Sequence, residues 1–199
     1  MKNIGKHIVT ALFCLIGTIS IAQLKMDATG SYENKEFRNL LEFEEIDYYK
    51  VAISGENVKG RNYSIVSKEI WKGKVKKVDT IFNSREHEVF KIDNDSLLFT
   101  VMSGKTDAKN LRIKFNFGRF GISRNYKSTK SDEYSLRDFG TRMPISVGKP
   151  FYAFAYILPT EHKDGSKSWC EVEADGTDIE NWGKKFNIEH YLLFEMKFD

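Results

Sequence analysis

Cysteine, proline and one-sided charge are all scarce in this chain, and each scarcity removes a class of protein. Of 199 residues only two are cysteines, Cys14 and Cys170. A disulfide framework, the usual support of small exported domains, is thereby excluded, and the fold must be held by its core. Three prolines and 14 glycines rule out collagen-like and proline-rich chains. Lysine and arginine number 31 against 28 aspartates and glutamates, so whole-molecule charge does not point to nucleic acid. What is left, 41% hydrophobic, 14% aromatic and 30% charged residues, is the composition of a folded globular protein.

Signatures of catalysis are missing too. There is no Gly-x-Ser-x-Gly elbow, no phosphate-cradling Gly-x-x-x-x-Gly-Lys loop, no dinucleotide fingerprint and no His-Glu-x-x-His pair. Beyond the first residues the histidines are His87, His162 and His190, too far apart in sequence to suggest local zinc ligands. Asp175-Gly176-Thr177-Asp178 offers oxygen ligands without the spacing of a calcium loop, and helix capping explains it more simply. Neither a metal nor a cofactor is expected.

The first 22 residues have the three parts of a secretory signal: Lys2 and Lys6, an apolar stretch from Ile8 to Ile19, and Ser20-Ile21-Ala22 before the cut. That stretch is shorter than the roughly 20 residues of a membrane span, so no transmembrane anchor is expected after cleavage. Phe13 before Cys14 argues against a lipoprotein site, where a small residue is favoured. The ending Ser20-Ile21-Ala22-Gln23 resembles the signal peptides of exported proteins from Bacteroidota. Export to the periplasm or the cell exterior is expected, with residues 23–199 as one domain. Cys170, left without a partner, is read as a small buried apolar residue.

The dominant period is two. Leu111, Ile113, Phe115 and Phe117 alternate with Arg112, Lys114 and Asn116, and after Gly118-Arg119 a second run carries Phe120, Ile122, Arg124 and Tyr126, as in a hairpin. Similar runs cover 46–54, 63–71, 75–82, 88–92, 97–102, 151–158, 168–173 and 190–198, most of them separated by glycine, asparagine or aspartate. About ten strands with turn-sized spacers predict an all-β, single-domain antiparallel β-sandwich or jelly roll. The run from Phe151 to Leu158 is apolar on both faces and predicts a central strand covered on both sides. One short helix near the C-terminus is expected from Thr177, with Glu180 at capping-box spacing, and Lys35 to Leu41 has weaker helical spacing.

Between Lys109 and Lys130 there are seven basic residues and no acidic one. Arg112, Lys114, Arg119, Arg124 and Lys127 are therefore candidate ligand-binding residues, with Trp169 a candidate exposed anchor after its polar turn. The partner implied is an anionic polysaccharide, a lipid headgroup or an acidic protein surface. Solvation of a sheet face and protection of an edge by lysine is the competing explanation. Trp71, Trp169, Trp182, Tyr152 and Tyr156 are either a glycan-stacking platform or core. Two further functions stay open: an inhibitor or immunity-type protein, and a small β-sandwich glycan-active enzyme. The enzyme would draw its carboxylates from Glu42, Glu44, Glu45 and Asp47 or from Glu171, Glu173, Asp175, Asp178 and Glu180.

Overall fold

Period two governs the chain throughout the computed structural model, which describes residues 23–30, 34–170, 172 and 178–199. Residues 1–22, where a signal segment is expected, lie outside the described residues. Thirteen strands form rather than about ten: β1 (Gln23–Thr29), β2 (Asp47–Gly55), β3 (Tyr63–Trp71), β4 (Lys74–Asn83), β5 (Ser96–Asp107), β6 (Asn110–Asn116), β7 (Gly121–Lys127), β8 (Ser135–Asp138), β9 (Ile145–Ser146), β10 (Phe151–Ile157), β11 (Thr160–Glu161), β12 (Lys167–Ser168) and β13 (His190–Phe198). An antiparallel sheet in the order β7-β6-β5-β2-β1-β9 curls as a half-barrel over a second in the order β4-β3-β13-β10-β8, and β11 pairs with β12.

The inward faces interleave across the two sheets. Phe115 and Tyr126 of the first sheet lie 5.6 and 6.3 Å, ring to ring, from Phe194 of β13, and Phe99 lies 6.5 Å from Phe154 of β10. Helix α1 (Lys35–Phe43) follows β1, capped by the Asn34 side chain, which accepts from the Phe37 N–H at 2.9 Å, and it buries Leu41. The weaker of the two helical spacings thus gives the longer helix, because a single cap and one apolar stripe suffice when the sheet supplies the packing.

Strand β10 is covered on both faces, as its sequence requires, and β13 lies beside it at the centre of the second sheet. The outer cover comes from the segment between β12 and β13. There a 3-10 turn (Ile179–Asn181) runs into the four-residue helix α2 (Trp182–Lys185). Trp182 is fully buried against Phe139 and Tyr191, with ring centroids 4.9 and 6.3 Å away. The Tyr191 hydroxyl donates to the Glu180 carbonyl at 2.8 Å and accepts from the Gly183 N–H at 3.3 Å, which pins the cover to the sheet. Gly183 is required by a close approach, since a Cβ there would meet the Gly73 backbone nitrogen at 2.6 Å.

Three local expectations are corrected. The run 88–92 forms 3-10 turns instead of a strand, because Phe90 turns inward onto the Phe82 and Phe120 rings, 5.3 and 4.8 Å away. The run 168–173 pairs only at Lys167–Ser168, after which the chain is helical at Cys170, and Cys170 is exposed rather than buried. The expected short C-terminal helix is present; its expected cap, Thr177, lies outside the described residues, and the first described turn follows Asp178 in a left-handed conformation (φ 54).

Candidate functional site

The β6–β7 register decides which basic side chains meet. Ile113 pairs with Arg124, Lys114 with Ser123, Arg112 with Asn125 and Asn110 with Lys127. Paired residues share a face of the sheet, so Arg112, Lys114 and Lys127 stand on the outer face while Arg124 lies on the inner side with Ile113. The expectation that Arg124 joins Arg112 and Lys114 is therefore corrected. Arg124 reaches across the sandwich edge instead, donating from Nη2 to the Ile81 carbonyl at 3.0 Å and lying 3.9 Å from Asp79. Arg119 sits in the hairpin turn, paired at 2.7 Å with Asp93.

Around Arg112 and Lys114 the outer face is concave. A groove of about 410 Å³ is lined by both, by Met102, Gly104 and Lys105 of β5, by Ser123, and by Glu44 and Ile46 of the turn after α1. Gly104 lies opposite Arg112 and brings no side chain, which leaves that part of the floor open. Among the described residues neither Arg112 nor Lys114 forms an ion pair. Lys127 extends the row, its Nζ 3.4 Å from Asn110 Oδ1.

Trp169 is half-buried. Its indole N–H donates to the Ile157 carbonyl at 3.2 Å and the Arg137 guanidinium stacks 4.6 Å above its ring, so it packs on the second sheet instead of standing free. The other aromatics do not assemble a platform either. Trp182 and Tyr156 are buried, Trp71 donates to Glu69 Oε1 at 2.6 Å, and the Tyr152 hydroxyl sits among Lys68, Glu180 and Glu195.

On the other side of the turn after α1 lies a second cleft, of about 280 Å³, which shares Ile46 and Lys105 with the groove. Asp47, Tyr134 and Tyr156 line it together with Glu42, Glu45 and Asp132. Part of the acidic run noted in the sequence thus does face a cleft, but Asp132, Tyr134 and Tyr156 come from distant segments and carry no local signal. Burial pushes the Asp47 carboxyl up to about 6, although the Leu136 N–H (2.8 Å), the charge of Arg137 and the Ser103 hydroxyl (3.4 Å) all favour the ionised form. Lys105 is held by Asp132 at 2.7 Å and by the carbonyls of Thr129 and Ser131.

Behind the cleft the Tyr134 hydroxyl lies 2.7 Å from His190 Nδ1. His190 is fully buried, and burial lowers its pKa to about 4, so it is neutral above that pH. Of the second acidic group, Glu171, Glu173 and Asp175 lie outside the described residues, while Glu180 bonds Lys68 at 2.7 Å. No group of three or more His, Cys, Asp or Glu among the described residues is arranged to hold a metal ion. Compared with protein-family models, curated proteins and solved structures, the chain finds no match.

Proposed function

We propose that this is an exported, non-catalytic binding module whose groove at Arg112 and Lys114 holds an anionic partner. The observation that carries the reading is that these two cations line one concavity, which Glu44 also lines, and that neither forms an ion pair among the described residues. Two residues apart on one strand face, they stand roughly 7 Å from each other. Anionic groups of a polysaccharide or a lipid headgroup fit such a row, with Lys127 continuing it and local potential steering the encounter. Arginine contributes planar two-point hydrogen bonding and lysine a point charge.

Reversing both charges, Arg112→Glu with Lys114→Glu, is expected to weaken binding of polygalacturonate or of phosphatidylglycerol vesicles at least about tenfold and to flatten its salt dependence. Which of the two probes binds identifies the partner. Arg124→Ala should leave binding intact and only lower stability. Equal affinity of the double variant and the parent would remove the reading.

A second reading, a small β-sandwich glycan-active enzyme, is favoured by the cleft at Asp47. A carboxyl displaced toward neutrality among facing acidic groups suits general acid catalysis of glycosidic cleavage. Asp47→Asn is then expected to abolish release of reducing ends from a polysaccharide that the parent cleaves. A parent chain that cleaves none of a broad glycan panel sinks this reading and leaves the binding module untouched.

A further inference from the structure

Strand β4 is the outer strand of the second sheet, ten residues long, and among the described residues it pairs on one side only, with β3. Its far end is closed, since Arg124 donates to the Ile81 carbonyl. Among the described residues no strand pairs with the outer side of the run Lys74-Val75-Lys76-Lys77-Val78, and all five residues are exposed. Val75 and Val78 are 41% and 59% exposed and share one face, as their pairing with Ile70 and Lys68 shows. Lys74 and Lys77, paired with Trp71 and Glu69, share the other.

The hairpin tip adds charge to the same corner. Lys72 and Gly73 turn with positive φ (50 and 69), and α2 packs so tightly on Gly73 that a Cβ there would meet Lys184 Cγ at 2.3 Å. Lys72, Lys74, Lys76 and Lys184 make no ion pair among the described residues, and Lys77 has only Asp79, at 3.9 Å.

We infer that the open edge of β4 receives an extended acidic segment of a partner protein, added as a further strand. An open edge supplies unpaired N–H and C=O groups, and alternate side chains of an added strand supply the selectivity. Lysines on an edge ordinarily deter pairing, and here they do deter a second copy of this chain, whose own lysines would lie against them. The same charges reward a strand that alternates glutamate with an apolar residue. Its apolar side chains lie along Val75 and Val78 and its carboxylates meet Lys74 and Lys77, with its alternation stepping by one residue across the β4 bulge at Lys76. The bulge at Lys76 and the lysines keep ordinary strands off this edge, whereas two valines this exposed do not serve deterrence and leave a place for an acidic segment. The surface is distinct from the groove at Arg112 and Lys114.

The test uses the whole chain and two short synthetic peptides, one alternating glutamate and valine, the other lysine and valine. The acidic peptide is expected to bind, to slow hydrogen exchange of the Lys74–Val78 amides, and to bind at least about tenfold more tightly than the basic one. Lys74→Glu with Lys76→Glu and Lys77→Glu should reverse that preference, and the corresponding triple glutamine variant should abolish it. Arg112→Glu with Lys114→Glu should not alter it, which separates this surface from the groove. Equal binding of both peptides, unchanged exchange in β4, or dimerisation of the chain through this edge would each overturn the inference.

Discussion

Truncating Trp182 to alanine is expected to cost about 3–5 kcal/mol, the range for a large aromatic removed from a packed interior. Trp182 has no exposed surface, and it sits where the cover segment meets the second sheet, between Phe139 and Tyr191. The local backbone cannot close the space, because α2 is already in contact with the Gly73 turn at Gly183. The loss therefore includes a cavity as well as the transfer of the indole. Urea unfolding followed by far-ultraviolet circular dichroism would show the midpoint shift. A loss below about 1 kcal/mol would mean that the cover is not part of the cooperative fold.

Replacing Asp47 by asparagine is expected to raise stability at neutral pH by about 2–3 kcal/mol, and to expose an opposing titration. The folded protein holds the Asp47 proton up to about pH 6, whereas the unfolded chain releases it near 3.8. The folded state thus binds more protons in that window, and this residue's contribution falls as pH rises through it, leaving its full cost at pH 7. His190 has the opposite sign. Its folded pKa of about 4 lies below the ordinary 6.5, so its contribution is present above 6.5 and is lost as pH falls toward 4.

The two windows overlap, and in the parent chain the slopes largely cancel. Asp47→Asn keeps an oxygen for the Leu136 N–H and removes the charge, so it should show a steep loss of stability on acidification that the parent lacks. Urea midpoints measured between about pH 4 and 7 test this. Parallel profiles for the two proteins would contradict it. The same variant serves the glycan-cleavage assay, since a stabilised protein that loses turnover has lost chemistry and not its fold.

The sequence shows the architecture where alternation is long. Leu111 to Tyr126 defines β6, its turn and β7, and the same alternation already places Arg124 with Ile122 and Tyr126 on the inner face. Clustering along the sequence obscures this, because seven basic residues look like one patch until pleat parity divides them. Strand β1 has only Leu24, Met26 and Ala28 on its inner side and follows an apolar stretch of sequence, so its start has no contrast. Strands β8, β9, β11 and β12 have two to four residues each and are too short to show a period. The cleft at Asp47 is less legible still. Its tyrosines at 134 and 156 lie far along the chain, and only the crossing of β2 over β8, where Asp47 accepts from Leu136, brings them together.

The pairing of β3 with β13 joins residues 63–71 to residues 190–198 in an unbroken register. As the chain emerges in order, β1, β2, β5, β6 and β7 can assemble once residue 127 is available, but the middle of the second sheet must wait for residue 198. Meanwhile the inner face of the half-barrel, with Phe99, Val101, Ile113 and Phe115, has nothing to lie against. Long-range strand pairing of this kind folds slowly and leaves apolar surface open to other chains. Synthesis of this protein thus includes an interval in which a holding factor matters more than any property of the finished fold.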